Sequence, residues 1–265
     1  MTRTILAAMS KLRSSYTTRR EFLKAAGGFV AISALADTVP AAGTAISGKA
    51  TLVGTPPPEI LVDLTDFPEQ RKVAPPGLKT QHYVVGPDGG LANVFVYIRD
   101  GLAGHPFPPP KEPALLDQFH CSFHPYVFGV RAGQLLNIRN SEPYLETVHA
   151  LPKHNEEFLL YQPITGEVDQ KRFDAPEVLV RIKCELHPWE FAFVGVVDHP
   201  FFAVTDLRGE FKIPPGLPPG KYTLAAVHPK AGLHTADITV AENQVQNVAF
   251  TFVPHIKPPA TTASQ

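Results

Sequence analysis

One stretch decides how the rest of the chain is interpreted: residues 183–190 have the sequence Lys-Cys-Glu-Leu-His-Pro-Trp-Glu. They include one of only two cysteines and the only tryptophan among 265 residues. The stretch follows the strand-like run Val-Leu-Val-Arg-Ile at 178–182. A thiolate and an imidazole three residues apart, on a loop that leaves a strand, can close on one metal ion. Cys184 and His187 therefore predict a metal site.

The composition predicts an all-β fold. Hydrophobic residues make up 44% of the chain and charged residues 18%, which is typical of a globular protein. The 28 prolines, together with the lack of long amphipathic helical patterns, favour strands joined by turns. Strands are predicted at 46–54, 81–85, 92–98 and along most of 124–253, with a hairpin over 202–213, and residues 59–80 are predicted to be irregular.

The amino-terminal segment has the pattern of an export signal. Residues 18–24 read Thr-Arg-Arg-Glu-Phe-Leu-Lys, a close match to the twin-arginine motif, and the apolar run at 25–36 is too short to span a membrane. We predict a signal peptide over residues 1–45 and a periplasmic, cell-surface or secreted protein. An ordinary amphipathic helix is the alternative interpretation.

The charge balance argues against nucleic acid as a partner. The first 45 residues contain six of the 24 Lys/Arg and two of the 25 Asp/Glu, so the remainder has a net charge of −5. No basic patch survives for phosphate contacts. We expect neither nucleic-acid binding nor a transmembrane segment in the mature chain.

Two motifs near the carboxyl terminus resemble the carboxypeptidase-regulatory-like, or prealbumin-like, β-sandwich. They are Thr-Asp-Leu-Arg-Gly-Glu-Phe at 205–211 and Pro-Pro-Gly-Lys-Tyr-Thr-Leu at 218–224. The initial strands that this family implies match residues 47–53 and 92–98. One sandwich is therefore expected from 46–112 together with 199–254, with 113–198 inserted, and residues 255–265 form a loose tail. Two consecutive domains are the alternative, although 46–112 alone has few strands for a core.

The inserted block resembles cupredoxins, specifically the exported plastocyanin-like proteins of the methylamine-utilisation-like type. The resemblance is carried by Asn-Ser-Glu-Pro at 140–143, Val-His-Ala at 148–150 and Cys-x-x-His-Pro-Trp at 184–189. It implies a Greek-key β-sandwich over 113–198 and a copper site. The expected fold is thus a cupredoxin-like sandwich inserted in, or followed by, the regulatory-like sandwich.

The expected copper site departs from its family at two positions. Cys184 and His187 carry over directly, whereas Glu146 stands in place of the family's first His and Glu190 in place of its axial Met. Carboxylates are hard ligands, so a site of this kind favours Cu(II) or Zn(II) and a lower reduction potential. His149 supplies a further imidazole only if the strand is shifted, because positions three apart on a strand face opposite sides.

Other interpretations of these residues stay open at the sequence level. Cys184 pairs with Cys121 in a disulfide if both are oxidised after export. Glu146 and Glu190 are ordinary solvated acids if the domain is metal-free. The run His-Cys-Ser-Phe-His at 120–124 has metal-like spacing but lacks further ligands nearby in sequence.

Three functions follow from these interpretations. The first is copper binding for electron transfer or copper handling, with a redox partner protein. The second is a non-catalytic β-sandwich module that binds a glycan or a protein, for which the candidate aromatic residues are Tyr161, Phe201, Phe202 and Tyr222. The third, a redox enzyme with an open carboxylate-rich metal site, has the least support, and we expect no enzyme activity.

Overall fold

The computed structural model of the protein describes residues 45–102, 104, 106–242 and 244–255. The predicted signal peptide, apart from Ala45, and the tail beyond His255 lie outside the described residues. The first half of the described chain contains one helix, α1 (Pro68–Val73), and strands β1 (Ala45–Leu52), β2 (Phe95–Asp100), β3 (Ala114–Gln118), β4 (Phe123–His124), β5 (Val127–Arg131), β6 (Leu136–Asn140), β7 (Glu146–Leu151) and β8 (Phe158–Gln162). The second half contains β9 (Val168–Lys171), β10 (Glu177–Lys183), β11 (Phe191–Val197), β12 (Phe202–Val204), β13 (Glu210–Ile213), β14 (Gly220–His228), β15 (Gly232–Val240) and β16 (Val245–Phe252).

The outer strands of the sequence form one β-sandwich. One sheet has the order β13-β1-β16 and the other β12-β2-β14-β15, so strands from before residue 113 share sheets with strands from after residue 199. Alternating apolar residues on each strand meet between the two sheets, where side chains such as Ile46, Ile98, Leu224 and Phe252 are almost completely buried.

The intervening strands form a second sandwich, which carries the candidate site. Its sheets have the orders β5-β11-β10-β7-β8 and β4-β3-β6-β9. Leu116, Ile138, Val148 and Ile182 fill the core between them. The prediction of an all-β protein built of β-sandwiches is confirmed.

A pair of glycines brings the two sandwiches into direct contact. Gly129 and Gly195 lie opposite each other on the parallel strands β5 and β11. A Cβ on Gly195 would lie 2.4 Å from the Phe95 ring, and one on Gly129 would lie 2.3 Å from the Phe202 ring. Only glycine therefore lets these two aromatic rings of the first sandwich pack onto the second.

Several local predictions were wrong. Residues 81–85 form no strand beyond an isolated bridge between Val85 and Leu91. The segment 202–213 is not a hairpin, because its two strands, β12 and β13, pair in different sheets. The region predicted to be irregular contains α1, which is only six residues long and therefore too short to show a helical hydrophobic period. Among the described residues, no helix has the length and apolar character needed to cross a membrane.

Candidate metal centre

The loop after β10 brings two side chains to one point. The Cys184 N–H donates to the Glu190 carbonyl at 3.0 Å, and the Glu190 N–H donates to the His187 carbonyl at 2.9 Å. With the loop closed in this way, Cys184 Sγ lies 3.4 Å from His187 Nδ1. The two residues are only 2% and 3% exposed. The loop therefore places a thiol beside an imidazole in the protein interior.

Strand β7 supplies the third group through its first residue, Glu146. The antiparallel pairing of β7 with β10 sets His149 opposite Lys183, so the start of β7 runs beside the loop. Glu146 Oε2 accepts hydrogen bonds from Cys184 Sγ at 3.1 Å and from His187 Nδ1 at 3.0 Å. One potential ligand atom from each of these three residues lies within 4.8 Å of the other two. This is the only such group of His, Cys, Asp or Glu found in the described part of the chain.

A second acid and an amide complete the inner surface. Gln118, at the end of β3 in the opposite sheet, donates from Nε2 to Glu146 Oε2 at 2.7 Å and to Glu190 Oε2 at 3.3 Å. Glu190 Oε1 lies 3.6 Å from His187 Nδ1. The Oε1 atoms of Glu146, Glu190 and Gln118 are all buried without a hydrogen-bond partner among the described residues. Burying an oxygen without a donor is costly, so the site is short of hydrogen-bond donors for these three oxygens.

Burial and mutual charge hold protons in the site. Burial, reinforced by the Glu146 carboxylate, raises the pKa of the Cys184 thiol to about 11. The pKa of Glu190 is raised well above its usual range, first by burial and second by the charge of Glu146. For His187, burial lowers the pKa, but the hydrogen bond and the charge of Glu146 outweigh burial, and the net direction is upward. Burial and neighbouring negative charge therefore favour the protonated forms of the Cys184 thiol and the Glu190 carboxyl group.

Aromatic rings surround the imidazole. The Trp189 ring lies 5.4 Å from that of His187, and the Tyr144 ring lies 5.5 Å from it, edge to face. Phe67, immediately before α1, makes an edge contact with Trp189 at 4.7 Å between ring centroids. The amide of Gln70, within α1, reaches the second ring nitrogen of His187.

His149 is not brought into this group. Its Nε2 lies 2.7 Å from Glu157 Oε1, and its Nδ1 bonds to Glu185, so both ring nitrogens are engaged near the surface. These carboxylates raise its pKa, chiefly through the hydrogen bond with Glu185. The strand alternation explains this placement, since Glu146 and His149 are three positions apart on β7.

The two cysteines form no disulfide. Both are free and buried. Cys121 Sγ lies 3.3 Å from the Tyr144 hydroxyl, and burial raises the pKa of the Cys121 thiol to about 12. The neighbouring His124 bonds through Nε2 to the Phe119 carbonyl at 3.0 Å, and His120 is exposed and stacks on Phe119. The spacing at 120–124 therefore does not produce a cluster of potential ligands.

The aromatic residues considered for glycan binding are mostly interior. Phe201 and Tyr222 are 2% and 5% exposed and belong to the core of the first sandwich. Phe202 packs against Phe95 between the sandwiches. Tyr161 alone of the four is well exposed, at 63%.

Sequence reasoning missed Gln70, Gln118 and Thr147. Gln70 is 117 positions away from His187, and no local pattern links the two. Thr147 Oγ1 accepts from the Glu185 N–H at 2.8 Å and lies 3.2 Å from Cys184 Sγ. Its position directly after Glu146 on a strand beside the loop was the one available signal.

Comparisons with known proteins find similarity only at the level of structure. No family model and no curated protein matches the chain. A Cu-containing nitrite reductase from Thermus scotoductus SA-01 is similar at 17% identity over 37% of this chain and 24% of its own, with a TM-score of 0.30. The chain thus spans about a quarter of that enzyme.

Smaller proteins are similar over nearly their whole length. A purple cupredoxin from Nitrosopumilus maritimus matches at 17% identity over 31% of this chain and 98% of its own, with a TM-score of 0.27. A methionine-to-alanine mutant of amicyanin in its Cu(I) form matches at 18% identity over 38% of this chain and 97% of its own, with a TM-score of 0.29.

Proposed function

We propose that the chain is an exported copper protein that holds one copper ion between Glu146, Cys184 and His187. The observation that carries the proposal is the convergence of a carboxylate, a thiol and an imidazole within 4.8 Å in the interior of the second sandwich. Glu190 lies close enough to His187 to add a further oxygen. The twin-arginine pattern at 18–24 supports export.

The buried polar atoms fit a divalent ion. Three orphaned oxygens point to a shortage of positive charge, and a cation relieves this directly. Nitrogen and sulfur donors with carboxylate oxygens suit Cu(II) and Zn(II), and the thiolate adds affinity for Cu(I). When bound, copper would supply a one-electron redox couple.

The chain's own residues would set the properties of that couple. Glu190 places an oxygen donor where a soft sulfur would stabilise Cu(I), and Glu146 places a carboxylate where a neutral imidazole would bind. Both acids therefore favour the oxidised ion and lower its reduction potential. Gln118 orients both acids from the opposite sheet. We therefore propose electron transfer at low potential or copper handling, with a redox partner protein.

The test is reconstitution of the purified chain with Cu(II), followed by absorption spectroscopy and metal analysis. We expect about one copper per chain and an intense thiolate-to-copper charge-transfer band. Cys184→Ser should abolish the band, whereas Cys121→Ser, which removes the other buried free thiol, should keep it. A wild-type chain that retains no copper after desalting and shows no band would refute the proposal. Competition with Zn(II) tests which ion the site prefers.

A metal-free β-sandwich module is the second candidate, and one observation favours it. Glu146 Oε2 already accepts hydrogen bonds from Gln118, Cys184 and His187, at 2.7 to 3.1 Å. Three donors on one oxygen stabilise a buried acid without an ion. In that case Cu(II) leaves the spectrum and the unfolding midpoint unchanged, and Tyr161 is the exposed candidate for a glycan or protein contact.

A further inference from the structure

His187 is buried by a segment that belongs to neither sheet of its own sandwich. Its neighbour on the loop, Leu186, is 43% exposed, whereas His187 is 3% exposed. The difference comes from the chain around α1, between β1 and β2, which lies against the imidazole. Phe67 contributes an edge-on ring at 6.1 Å from the His187 ring, and Gln70 contributes its amide.

This covering segment, residues 62–78, is a loop closed at its base. The Val62 N–H donates to the Leu78 carbonyl and the Thr80 N–H donates to the Ile60 carbonyl, both at 2.9 Å. At the far end, the Gln70 carbonyl accepts a hydrogen bond from Cys121 Sγ at 3.5 Å. The segment is therefore held at both its base and its tip, and it can place a side chain accurately.

Gln70 is the one side chain of α1 that points into the protein. It is 8% exposed, while Glu69, Arg71 and Lys72 beside it are exposed. Its Nε2 lies 2.8 Å from His187 Nε2. A buried polar side chain of this kind needs a partner, and the partner here is the ring nitrogen that faces away from Cys184 and Glu146.

An amide suits both forms of the imidazole. Its N–H group can donate to a bare Nε2, and after the amide turns over, its oxygen can accept from Nε2–H. When Nδ1 binds an ion, the ring's remaining proton must sit on Nε2 and needs an acceptor. Gln70 lies against Nε2 through its amide nitrogen, and turning the amide over would present Oε1 as that acceptor.

We propose that Gln70 is a positioning residue, which holds His187 through Nε2 so that Nδ1 faces the thiol and the Glu146 carboxylate, ready for the ion. The inference rests on the proposed function for its metal-binding consequence, but the contact itself exists without metal. Phe67 supports it by packing against Trp189 and keeping the segment closed.

Two substitutions at this position separate positioning from packing. Gln70→Glu keeps an oxygen acceptor for Nε2–H, and Gln70→Leu keeps the volume without a hydrogen bond. In Cu(II) titrations against a competing chelator, positioning predicts that Gln70→Leu loses about 10- to 100-fold in affinity while Gln70→Glu retains most of it. A purely packing role predicts the reverse order, because a buried acid is costly and leucine is not. That reverse order, or equal affinities in all three proteins, would overturn the inference.

A measurement on the metal-free chain distinguishes failure of this inference from failure of the proposed function. The 15N shifts of the His187 ring should change in Gln70→Leu, and those of His228 on strand β14 should not. Unchanged His187 shifts would overturn the inference whether or not copper binds. Changed His187 shifts in a chain that takes up no copper would uphold the contact, refute its metal-binding consequence and count against the proposed function.

Discussion

Replacing Glu190 with glutamine should reduce the loss of stability that the metal-free protein undergoes as pH rises. Glu190 is 1% exposed, and burial raises its pKa well above the usual range, with the Glu146 charge as the second cause. Between its unfolded pKa and its higher folded pKa, the native state retains a proton that the unfolded chain releases. Its contribution to the free energy of unfolding is therefore fully present below the unfolded pKa and is lost as pH rises.

The size of the effect follows from the size of the pKa shift. Each unit by which the folded pKa exceeds the unfolded one corresponds to about 1.4 kcal/mol lost once the acid has ionised. Glutamine mimics the protonated acid and cannot ionise. We therefore expect the stability advantage of Glu190→Gln over the wild type to be smallest near pH 5 and to grow by at least about 1.4 kcal/mol by pH 8.

The assay is urea unfolding of chelator-treated protein at several values between pH 5 and pH 8. His187 also has a raised pKa, so its stabilising charge is lost as pH rises through the folded pKa, and a shallower fall should persist in Glu190→Gln. Glu210→Gln is the matched control, since Glu210 is exposed on β13. Parallel pH profiles for the wild type and Glu190→Gln would show that Glu190 is not held protonated and would refute the reasoning.

Two further predictions concern the ion and the contact between the sandwiches. Copper affinity, measured by chelator competition from pH 6 to pH 8, should rise by about tenfold per pH unit for each proton released. The reason is that Cys184, whose pKa is raised to about 11, must lose its proton to bind the ion. A pH-independent affinity would contradict a thiolate ligand. Gly195→Ala should destabilise the protein by roughly 1–3 kcal/mol in urea unfolding, since a Cβ there meets the Phe95 ring. Adding Phe95→Leu to that variant should recover part of the loss, and strictly additive effects would contradict the contact.

The parts of the candidate site whose residues are close together in the chain could be predicted from the sequence. Cys184 and His187 share one loop, and three-residue spacing on a closed turn brings them together. Strand alternation on β7 predicted that Glu146 and His149 face opposite sides. In the structure Glu146 contacts His187, and His149 contacts Glu157. The all-β class followed equally simply from proline-rich turns between short apolar runs.

The parts that depend on distant segments were not accessible. Gln118 reaches the acids from the opposite sheet, and Gln70 reaches His187 from a helix before the second strand. Neither residue belongs to a spacing pattern, and glutamine is common on protein surfaces. The role of Gly129 and Gly195 could not be predicted either, because the aromatic rings that pack against them come from the other sandwich.

Glutamate stands where an imidazole was expected, at 146, and where a soft ligand was expected, at 190. The residues around these two acids are arranged to accommodate them. A stray acid in an apolar core would be costly, and nothing nearby would be arranged around it. Here Gln118 bridges the two acids, and His187 lies within 3.6 Å of both. Gln70 then holds the far side of the same imidazole. Each acid therefore has partners in two directions, yet both keep one oxygen without a donor among the described residues. A site that had merely lost its ion would gain stability by filling with apolar side chains. The buried thiol, imidazole and carboxyl groups around one point form a set of donors that is compatible with a cation site.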